Sequence, residues 1–313
     1  MTRTITVCLA DAFTTQPGRG NRAGVVLNAS GLSDEAMQAV AALVGVSETA
    51  FLSPAPDGAD FDLVQRYFTP EVEVPTCGHA TIGSHFVRAR TLGMTHGRVR
   101  IRTGAGVLPI DIETVDGALK VTMTQGAVTF TPPYGARTRE AILAALGLGP
   151  DDPAEGLPVQ EVSTGHSKVM VPIRSVAVLD RLEPDMAALR ALSREIGCNG
   201  YFVFVLNDAG DDCLTSGRMF APAVGIDEDP VTGNGNGPCG AYLSRYGVLP
   251  DRPVFGYLGR QGVAMGREGL IEVTVTRDEK GPYKVQVGGT AVEAGRMEIE
   301  LSDNDGRLAA HIL

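Results

Sequence analysis

Two glycine-containing segments of the sequence combine an expected helix start with side chains that could take part in acid–base chemistry. The first reads Cys-Gly-His at residues 77–79, the second reads Thr-Gly-Asn at residues 232–234, and each begins two residues after a proline. A helix N terminus presents free backbone N–H groups and the positive end of the helix dipole, so it binds a carboxylate as readily as a phosphate. The amides of Gly78, Gly233 and Asn234 are therefore predicted to bind a small anionic metabolite.

The second segment overlaps a dinucleotide-binding fingerprint, because residues 235–240 read G-x-G-x-x-G. That fingerprint binds a dinucleotide only when it directly follows a buried strand and when an acidic residue stands about 20 positions further on. Here the preceding sequence GIDEDPVT (225–232) indicates a turn, and the sequence about 20 positions on, VFGY (254–257), has no acidic residue. We therefore expect no nicotinamide or flavin cofactor, and we assign the glycines to another kind of anion.

The composition is that of a globular protein with a net negative charge. The chain has 313 residues and a formal charge of −10, which predicts about two domains and argues against nucleic acid and membrane surfaces as partners. No apolar run approaches the roughly 20 residues that span a bilayer. The five cysteines are far apart and form no C-x-x-C, and the five histidines form no ligand pattern. These features predict a cytoplasmic protein without bound metal.

Hydrophobic periodicity and glycine stops predict helices at 33–45, 79–93, 184–197 and 235–247, with strand-like segments between them. The order of elements in the first third of the chain recurs in the middle, and the two glycine-containing helix starts fall in equivalent places. The sequence therefore predicts an α+β fold of two pseudo-symmetric domains, each a mostly antiparallel sheet or barrel wrapped around a central helix. We place the domains at residues 1–120 and 121–294.

Five motifs carry a resemblance to a known family. They are, in chain order, DAFTTQPGRGNRAGVVL, SETAFL, RYFTPEVEVPTCGHATIGSHFV, EDPVTGNGNGPCGAYL and QGVAMGREG. These motifs resemble the phenazine-biosynthesis PhzF-like isomerases, which share a fold with diaminopimelate epimerase and proline racemase. The resemblance implies an active site at the interface of the two domains, with neither cofactor nor metal. It also implies that the last strand, at about 295–313, returns to the N-terminal domain.

The same resemblance assigns roles to three titratable residues. Moving a proton between carbons requires one group that takes and returns it, held in a site poor in water. The resemblance implies that Glu48 is this group and that Asp229 points into the site beside His79 as a secondary acid, base or orienting group. From the residues alone, other roles remain open. Glu48 could be a surface residue at a strand start, His79 a helix-terminal residue without catalytic role, and Asp229 a turn former.

Cys77 and Thr232 decide between two kinds of enzyme. Thiol-dependent racemases on this fold use two cysteines, one at each of the two helix starts, whereas this chain has a cysteine at the first position and a threonine at the second. A threonine hydroxyl cannot replace a thiolate base. Cys77 is therefore expected to pack as a small apolar residue. Asn234 stands where the phenazine enzymes usually carry serine, so their substrate is not carried over.

These observations predict a cofactor-independent isomerase that moves a proton on a small carboxylate- or amino-acid-like metabolite, with its active site between the two domains. Glu48, His79 and Asp229 are the predicted catalytic residues. Two alternatives stay open: a cysteine-type amino-acid racemase or epimerase, and a metabolite-binding protein without catalysis. The latter would keep the glycine turns without needing Glu48. The assembly that we consider for this chain is a homodimer of two copies.

Overall fold

The computed structural model describes residues 2–304 and 307–313 of the chain and consists of strands and helices in alternation. Numbered along the chain, the strands are β1 (Thr2–Ala12), β2 (Asn21–Val26), β3 (Glu48–Pro54), β4 (Leu63–Phe68), β5 (Glu73–Val74), β6 (His96–Thr103), β7 (Gly106–Val115), β8 (Ala118–Thr124), β9 (Val128–Phe130), β10 (Gln160–Thr164), β11 (Ser167–Ile173), β12 (Tyr201–Leu206), β13 (Thr215–Ala221), β14 (Ile226–Asp229), β15 (Val254–Gln261), β16 (Gly269–Asp278), β17 (Gly281–Gly289), β18 (Ala291–Asn304) and β19 (Arg307–Ile312). The helices are α1 (Asp34–Val44), α2 (Gly78–Leu92), α3 (Ala136–Ala145), α4 (Val176–Asp180), α5 (Met186–Ile196) and α6 (Gly233–Arg245).

Contacts divide the chain into two compact units. Unit 1 comprises Met1–Met123 together with Gly288–Leu313, and unit 2 comprises Thr124–Val287. The chain therefore leaves unit 1 near the end of β8 and returns to it near the end of β17. Among the described residues, none of the helices is long and apolar enough to cross a membrane.

Unit 1 is a largely antiparallel arrangement of strands around α2. Its longest pairing joins β1 to β18, from Thr2 opposite Ser302 to Ala12 opposite Ala291, and parallel pairing is found between β2 and β3 and between β4 and β6. Ten of the fifteen residues of α2 are buried, so this helix is the centre of the unit rather than a surface helix.

The ends of the unit 1 helices follow from local sequence. Ser33 accepts a hydrogen bond from the Ala36 amide and caps α1, and Gly45 ends that helix in the left-handed conformation, with φ of 66°. Gly93 ends α2 in the same way. Both glycine stops were predicted from the sequence, since glycine adopts this conformation without steric cost.

Unit 2 has the same general plan, with α6 as its central helix. Antiparallel pairing joins β9 to β10, β10 to β11, β12 to β13 and β15 to β16, whereas β11–β12 and β13–β15 are parallel. One face of this sheet packs on α3, α4 and α5 through a large apolar cluster that includes Val169, Val203 and Phe220. Eleven of the thirteen residues of α6 are buried.

The glycines of α6 are required by close packing. A Cβ atom added at Gly235 would lie 2.6 Å from Cδ2 of Phe202, and one added at Gly240 would lie 2.7 Å from Cγ1 of Val273. Residues 233 and 234, which precede the helix predicted at 235–247, belong to the first turn of this helix. Residues 226–229 form the short strand β14 rather than a turn. The glycine and proline content of these segments does not predict the first turn of α6 or the strand β14, because the packing that favours them involves residues distant in sequence.

Candidate functional site

The first group of predicted site residues lies in unit 1 around the imidazole of His79. We name Ser47, Glu48, Cys77, Gly78 and His79 the Glu48 cluster. Nε2 of the imidazole lies 3.4 Å from Oε2 of the glutamate and 3.4 Å from Oγ of the serine. Nδ1 lies 3.4 Å from Sγ of the cysteine. The structure thus brings together Glu48 and His79, as the sequence analysis predicts for a shared site.

Two elements position these side chains. Glu48 is the first residue of β3, which pairs in parallel with β2, and His79 is the second residue of α2. The turn before α2 is fixed by Thr81, whose hydroxyl donates 2.7 Å to the carbonyl of Cys77 and lies 2.6 Å from the hydroxyl of Tyr67. Burial raises the pKa of Tyr67 far above its usual range, so this hydroxyl stays neutral and acts as a structural hydrogen-bonding group.

The Glu48 carboxylate has an unused oxygen. Its side chain is only 13% exposed, and among the described residues Oε2 has no hydrogen-bond partner, since its contact with the imidazole is long for a hydrogen bond. A buried carboxylate oxygen without a donor is costly in free energy. Such an oxygen is suited to accept a proton from a bound molecule, because no protein donor competes for it.

The Glu48 cluster also forms a possible metal ligand set, which the sequence analysis does not predict. One ligand atom each from Glu48, Cys77 and His79 lies within 4.8 Å of the others, and thiolate, imidazole and carboxylate all bind Zn²⁺. The spacing of histidines and cysteines along the chain does not predict this group, because its members come from a strand start and a helix start that are distant in sequence. A chelator treatment therefore belongs in any test of activity.

The second group of predicted site residues lies in unit 2 at the start of α6. We name Asp229, Thr232, Gly233, Asn234 and Gln261 the Asp229 cluster. The threonine hydroxyl donates 2.5 Å to Oδ2 of the aspartate. The glutamine amide donates 2.7 Å to the aspartate carbonyl, while its oxygen accepts from the threonine amide at 3.0 Å. Because Gln261 bonds residues on both sides of Pro230, it holds the aspartate in a fixed position relative to the helix.

The backbone at the start of α6 offers donors to a ligand. Among the described residues, no hydrogen-bond acceptor is found for the amides of Gly233 and Asn234, as expected for the first residues of a helix. The carbonyl of Gly233 accepts 2.9 Å from the Gln125 side chain, whose oxygen accepts 2.9 Å from Thr164. Gln125 therefore fixes the first turn of α6 through the carbonyl of Gly233, and the amides of that turn remain available to a ligand.

Cys239 does not supply the second thiol that a two-cysteine racemase needs. It lies inside α6 and is fully buried, and burial raises the pKa of its thiol well above the usual range. At the equivalent helix start Thr232 uses its hydroxyl as a donor to Asp229. In unit 2, no thiolate base is available at the start of the central helix.

The predicted residues thus form two groups. Gly78 joins Glu48 and His79 in unit 1, whereas Asp229, Gly233 and Asn234 lie in unit 2, so the placement of Asp229 beside His79 stays a prediction. The sequence analysis does not single out Ser47, Gln125 or Gln261 as site residues. A signal exists for Ser47 and Gln261, because they open the SETAFL and QGVAMGREG motifs.

Comparison with known proteins identifies the family. The model of the phenazine biosynthesis-like protein family (PhzC-PhzF) matches residues 10–296. The uncharacterized isomerase YddE of Escherichia coli strain K12 is 50% identical over 283 residues, which cover 90% of this chain and 94% of that protein. The trans-2,3-dihydro-3-hydroxyanthranilate isomerase of Pseudomonas aeruginosa is 34% identical over 261 residues, which cover 82% of this chain and 85% of that protein.

Solved structures confirm the predicted fold. A PhzF-family phenazine biosynthesis protein of Bacillus anthracis has a TM-score of 0.86 at 33% identity, covering 95% of this chain and 99% of that chain. A hydroxyproline epimerase of Agrobacterium vitis has a TM-score of 0.63 at 14% identity, covering 97% and 93%, which shows a shared fold with the epimerases. The chain belongs to the phenazine biosynthesis-like (PhzC-PhzF) family and is an isomerase with an epimerase-like fold.

Proposed function

We propose that this isomerase moves a proton on a small carboxylate- or amino-acid-like metabolite without a cofactor or metal. The observation that supports this proposal is the buried Oε2 of Glu48, which has no hydrogen-bond donor among the described residues and lies 3.4 Å from the His79 imidazole. A base that lacks protein donors can accept a proton from a substrate carbon and return it to another carbon of the same molecule. No electrons or other groups are exchanged in such a step.

In this proposal, His79 orients the carboxylate and the departing proton. Its Nε2 lies 3.4 Å from Oε2 of Glu48 and its Nδ1 lies 3.4 Å from Sγ of Cys77, so the ring stands between the carboxylate and the thiol. The His79 side chain is only 8% exposed, which limits competition from water. The imidazole therefore lies beside the proposed base in a position to orient it, with Cys77 against its other ring nitrogen.

The substrate carboxylate is assigned to helix N termini in this proposal. The amides of Gly78, Gly233 and Asn234 begin the two central helices, and N–H donors of this kind also stabilise the negative charge that develops when a proton leaves a neighbouring carbon. The proposal that both clusters act on one substrate between the two units rests on the sequence. The cytoplasmic location and the homodimer likewise stay predictions.

One observation favours thiol chemistry as a second candidate. Cys77 and His79 form a cysteine–histidine contact at 3.4 Å, and such a pair can activate a thiol. Because the equivalent place in unit 2 is occupied by Thr232, a two-thiol racemase would lack its second base. If a single thiol carried the reaction, a variant without the Cys77 thiol would lose turnover.

Exchange of substrate hydrogen with solvent tests the proposal. The protein, dialysed against a chelator and free of added cofactors, is incubated in D₂O with a panel of small carboxylic acids and amino acids that includes trans-2,3-dihydro-3-hydroxyanthranilate. Mass spectrometry and NMR then locate any deuterium that enters carbon positions. We expect uptake into at least one compound at an undiminished rate after chelation. Activity that requires added metal or nucleotide would contradict cofactor independence, and binding without exchange would favour the non-catalytic alternative.

A further inference from the structure

The Glu48 cluster contains three side chains that bind transition metals, although the proposed reaction uses no metal. One ligand atom each from Glu48, Cys77 and His79 lies within 4.8 Å of the others, and no other such group is found among the described residues. Cys77 and His79 are buried, and the Glu48 side chain is only 13% exposed. The three potential ligands therefore lie inside unit 1 and differ from a group of acidic residues at the surface.

The separations between these atoms are close to those around a tetrahedral zinc ion. Bonds of about 2.3 Å to sulfur and about 2.0–2.2 Å to nitrogen and oxygen place neighbouring ligand atoms roughly 3.4–3.6 Å apart. In this structure Nε2 of His79 lies 3.4 Å from Oε2 of Glu48, and Nδ1 lies 3.4 Å from Sγ of Cys77. An ion binds only one ring nitrogen, so the side chain beside the other nitrogen has to turn toward it. Because no pair of ligand atoms is more than 4.8 Å apart, this movement is about 1 Å.

The charges of the three side chains balance a divalent cation. Zinc binds cysteine as the thiolate, so the proton of the Cys77 thiol passes to solvent when the ion enters. The thiolate and the Glu48 carboxylate then neutralise the two positive charges, and His79 binds as the neutral imidazole. Oε2 of Glu48 is moreover a buried oxygen without a hydrogen-bond partner among the described residues. A bound cation supplies the partner that this oxygen lacks.

The surrounding structure holds the ligands in place and favours zinc over the common hard cations. Cys77 directly precedes α2, and its carbonyl accepts a 2.7 Å hydrogen bond from Thr81, whose hydroxyl lies 2.6 Å from that of Tyr67. The positive end of the helix dipole stabilises a thiolate at this position. Thiolate and imidazole ligands select zinc, whereas magnesium and calcium take oxygen ligands.

We propose that Glu48, Cys77 and His79 bind one Zn²⁺ ion and that this ion inhibits the enzyme. The ion occupies Oε2 of Glu48, the atom that must be free to accept the substrate proton, so the metal-bound protein is inactive. The inhibition rests on the proposed function, because it requires Glu48 to be the base. The metal site rests on the three ligands alone and can be tested without a substrate.

Titration with zinc alone tests the site. Tag-free protein is dialysed against a chelator, freed of the chelator and titrated with Zn²⁺ in a calorimeter. Cys77→Ser exchanges only the sulfur for oxygen, and the matched control Cys198→Ser makes the same exchange at a buried cysteine of unit 2. We expect one Zn²⁺ per chain in the wild type and the control, and an affinity lower by about 100-fold or more in Cys77→Ser, which loses the thiolate ligand. Magnesium should give no binding heat.

A wild type that binds no Zn²⁺, or a Cys77→Ser variant that binds it as tightly as the wild type, would overturn the inference. Glu48→Gln supplies a second variant, and its affinity for Zn²⁺ should also decrease, because an amide replaces the carboxylate. Thermal unfolding in the presence of a chelator verifies that each variant is folded before it is titrated. Unchanged zinc affinity in a folded Glu48→Gln would exclude the carboxylate as a ligand and contradict the site.

Cobalt identifies the ligands by spectroscopy. Co²⁺ bound in place of zinc should give the near-ultraviolet charge-transfer band of a thiolate ligand together with the intense visible bands of a tetrahedral site. Both should be present in the wild type and in Cys198→Ser, and the charge-transfer band should be absent in Cys77→Ser. A wild-type spectrum without a thiolate band would place the metal elsewhere and contradict the inference.

Inhibition is measured with a substrate found by deuterium exchange. Saturating Zn²⁺ should lower kcat of the wild type and of Cys198→Ser by about 100-fold or more, the loss expected when the general base is blocked, and a chelator should restore it. Each rate is compared with the metal-free rate of the same protein, and at this zinc concentration Cys77→Ser should be much less inhibited. Zinc that binds the three ligands and leaves kcat unchanged, or raises it, would overturn the inhibitory role.

The two proposals fail in different ways. If no compound exchanges deuterium but zinc binds with the expected cobalt spectrum, the metal site stands and the proposed function fails. If exchange depends on Glu48 but zinc does not bind, only this inference fails.

Discussion

The starts of α2 and α6 are built alike in their backbone but differ in the chemistry they carry. Each helix begins at a glycine after an extended residue, Cys77 or Thr232, whose side chain does not cap the helix. Around α2 the neighbouring groups are a carboxylate with an unused oxygen and an imidazole. Around α6 they are the Asp229 carboxylate, the Thr232 hydroxyl and the Gln261 amide, joined in a hydrogen-bonded network. The difference between them is that the carboxylate at α6 accepts a hydrogen bond from Thr232, whereas Oε2 of the carboxylate at α2 has no donor among the described residues.

The two central helices also differ in how closely they are packed. A Cβ atom added at Gly78 would meet its nearest neighbour, Sδ of Met123, at 3.8 Å, which is ordinary contact. Added Cβ atoms at Gly235, Gly237 and Gly240 would all lie within 2.7 Å of another side chain. The glycine at the start of α2 therefore leaves space for a ligand or a side chain, whereas those inside α6 bring the helix close to the sheet.

Glu48→Gln should give the largest effect, because it removes the basic carboxylate while it keeps size and polarity. We expect kcat for deuterium exchange to fall by about 10²–10⁴-fold, the usual share of general acid–base catalysis, with ligand affinity within about tenfold. The matched control is Glu113→Gln, an exposed glutamate of β7 in the same unit, which should leave kcat unchanged. A fully active Glu48→Gln would show that another group transfers the proton. It would also contradict the proposed difference between the two helix starts.

Alanine substitution of one glycine in each helix tests the packing contrast. Gly240→Ala should lower the free energy of unfolding by about 1–3 kcal/mol, the usual cost of overpacking, because its methyl group would overlap Val273. Gly78→Ala should change that free energy by less than about 1 kcal/mol. Urea unfolding of both variants measures the difference. Equal losses for both would show that α2 is packed as closely as α6.

Acid should act on α2 rather than on α6, since α6 contains neither histidine nor carboxylate. Burial lowers the pKa of His85 in α2 from 6.5 to about 3. Below about pH 6.5, His85 is therefore protonated in the unfolded chain but stays neutral in the folded protein. The free energy of unfolding falls as the pH decreases. Between pH 7 and pH 5 we expect a loss of about 2 kcal/mol from this residue.

Urea unfolding at both pH values tests this, with His85→Gln as the comparison. The variant has no titratable group at this position and keeps a donor for Gln65, which the imidazole contacts at 3.0 Å. Between pH 7 and pH 5, the free energy of unfolding of the variant should fall by about 2 kcal/mol less than that of the wild type. A variant as acid-sensitive as the wild type would assign the effect to other residues.

Cys77→Ala should give the smallest effect. Its thiol has no second thiol at the start of α6, so most of the turnover should remain, with kcat within about threefold of the wild type. Cys198→Ala, a buried cysteine of unit 2, is the control for the loss of a buried sulfur. A nearly inactive Cys77→Ala beside an active Glu48→Gln would favour thiol chemistry and reverse the assignment of roles in the Glu48 cluster.

The sequence predicts the features that depend on local order along the chain. Ser33 and Gly45 mark the limits of α1, and the glycine-containing starts of both central helices were recognised. The contact between Glu48 and His79 follows from family resemblance, because no periodicity links a strand start to a helix 30 residues away. Gln261 was not predicted as a site residue, because its importance comes from burial and from hydrogen bonds to Asp229 and Thr232, about 30 residues earlier in the chain.

The pairing of β1 with β18 has a consequence for the order in which the protein is made. Cys8–Ala12 also pair with β2, but Thr2–Val7 find their partners in β18, which is synthesised after all of unit 2. A nascent chain can therefore complete unit 2 while half of its first strand still has unpaired edges. Unit 1 therefore closes only after the residues of unit 2 have been made, because β18 follows them in the chain.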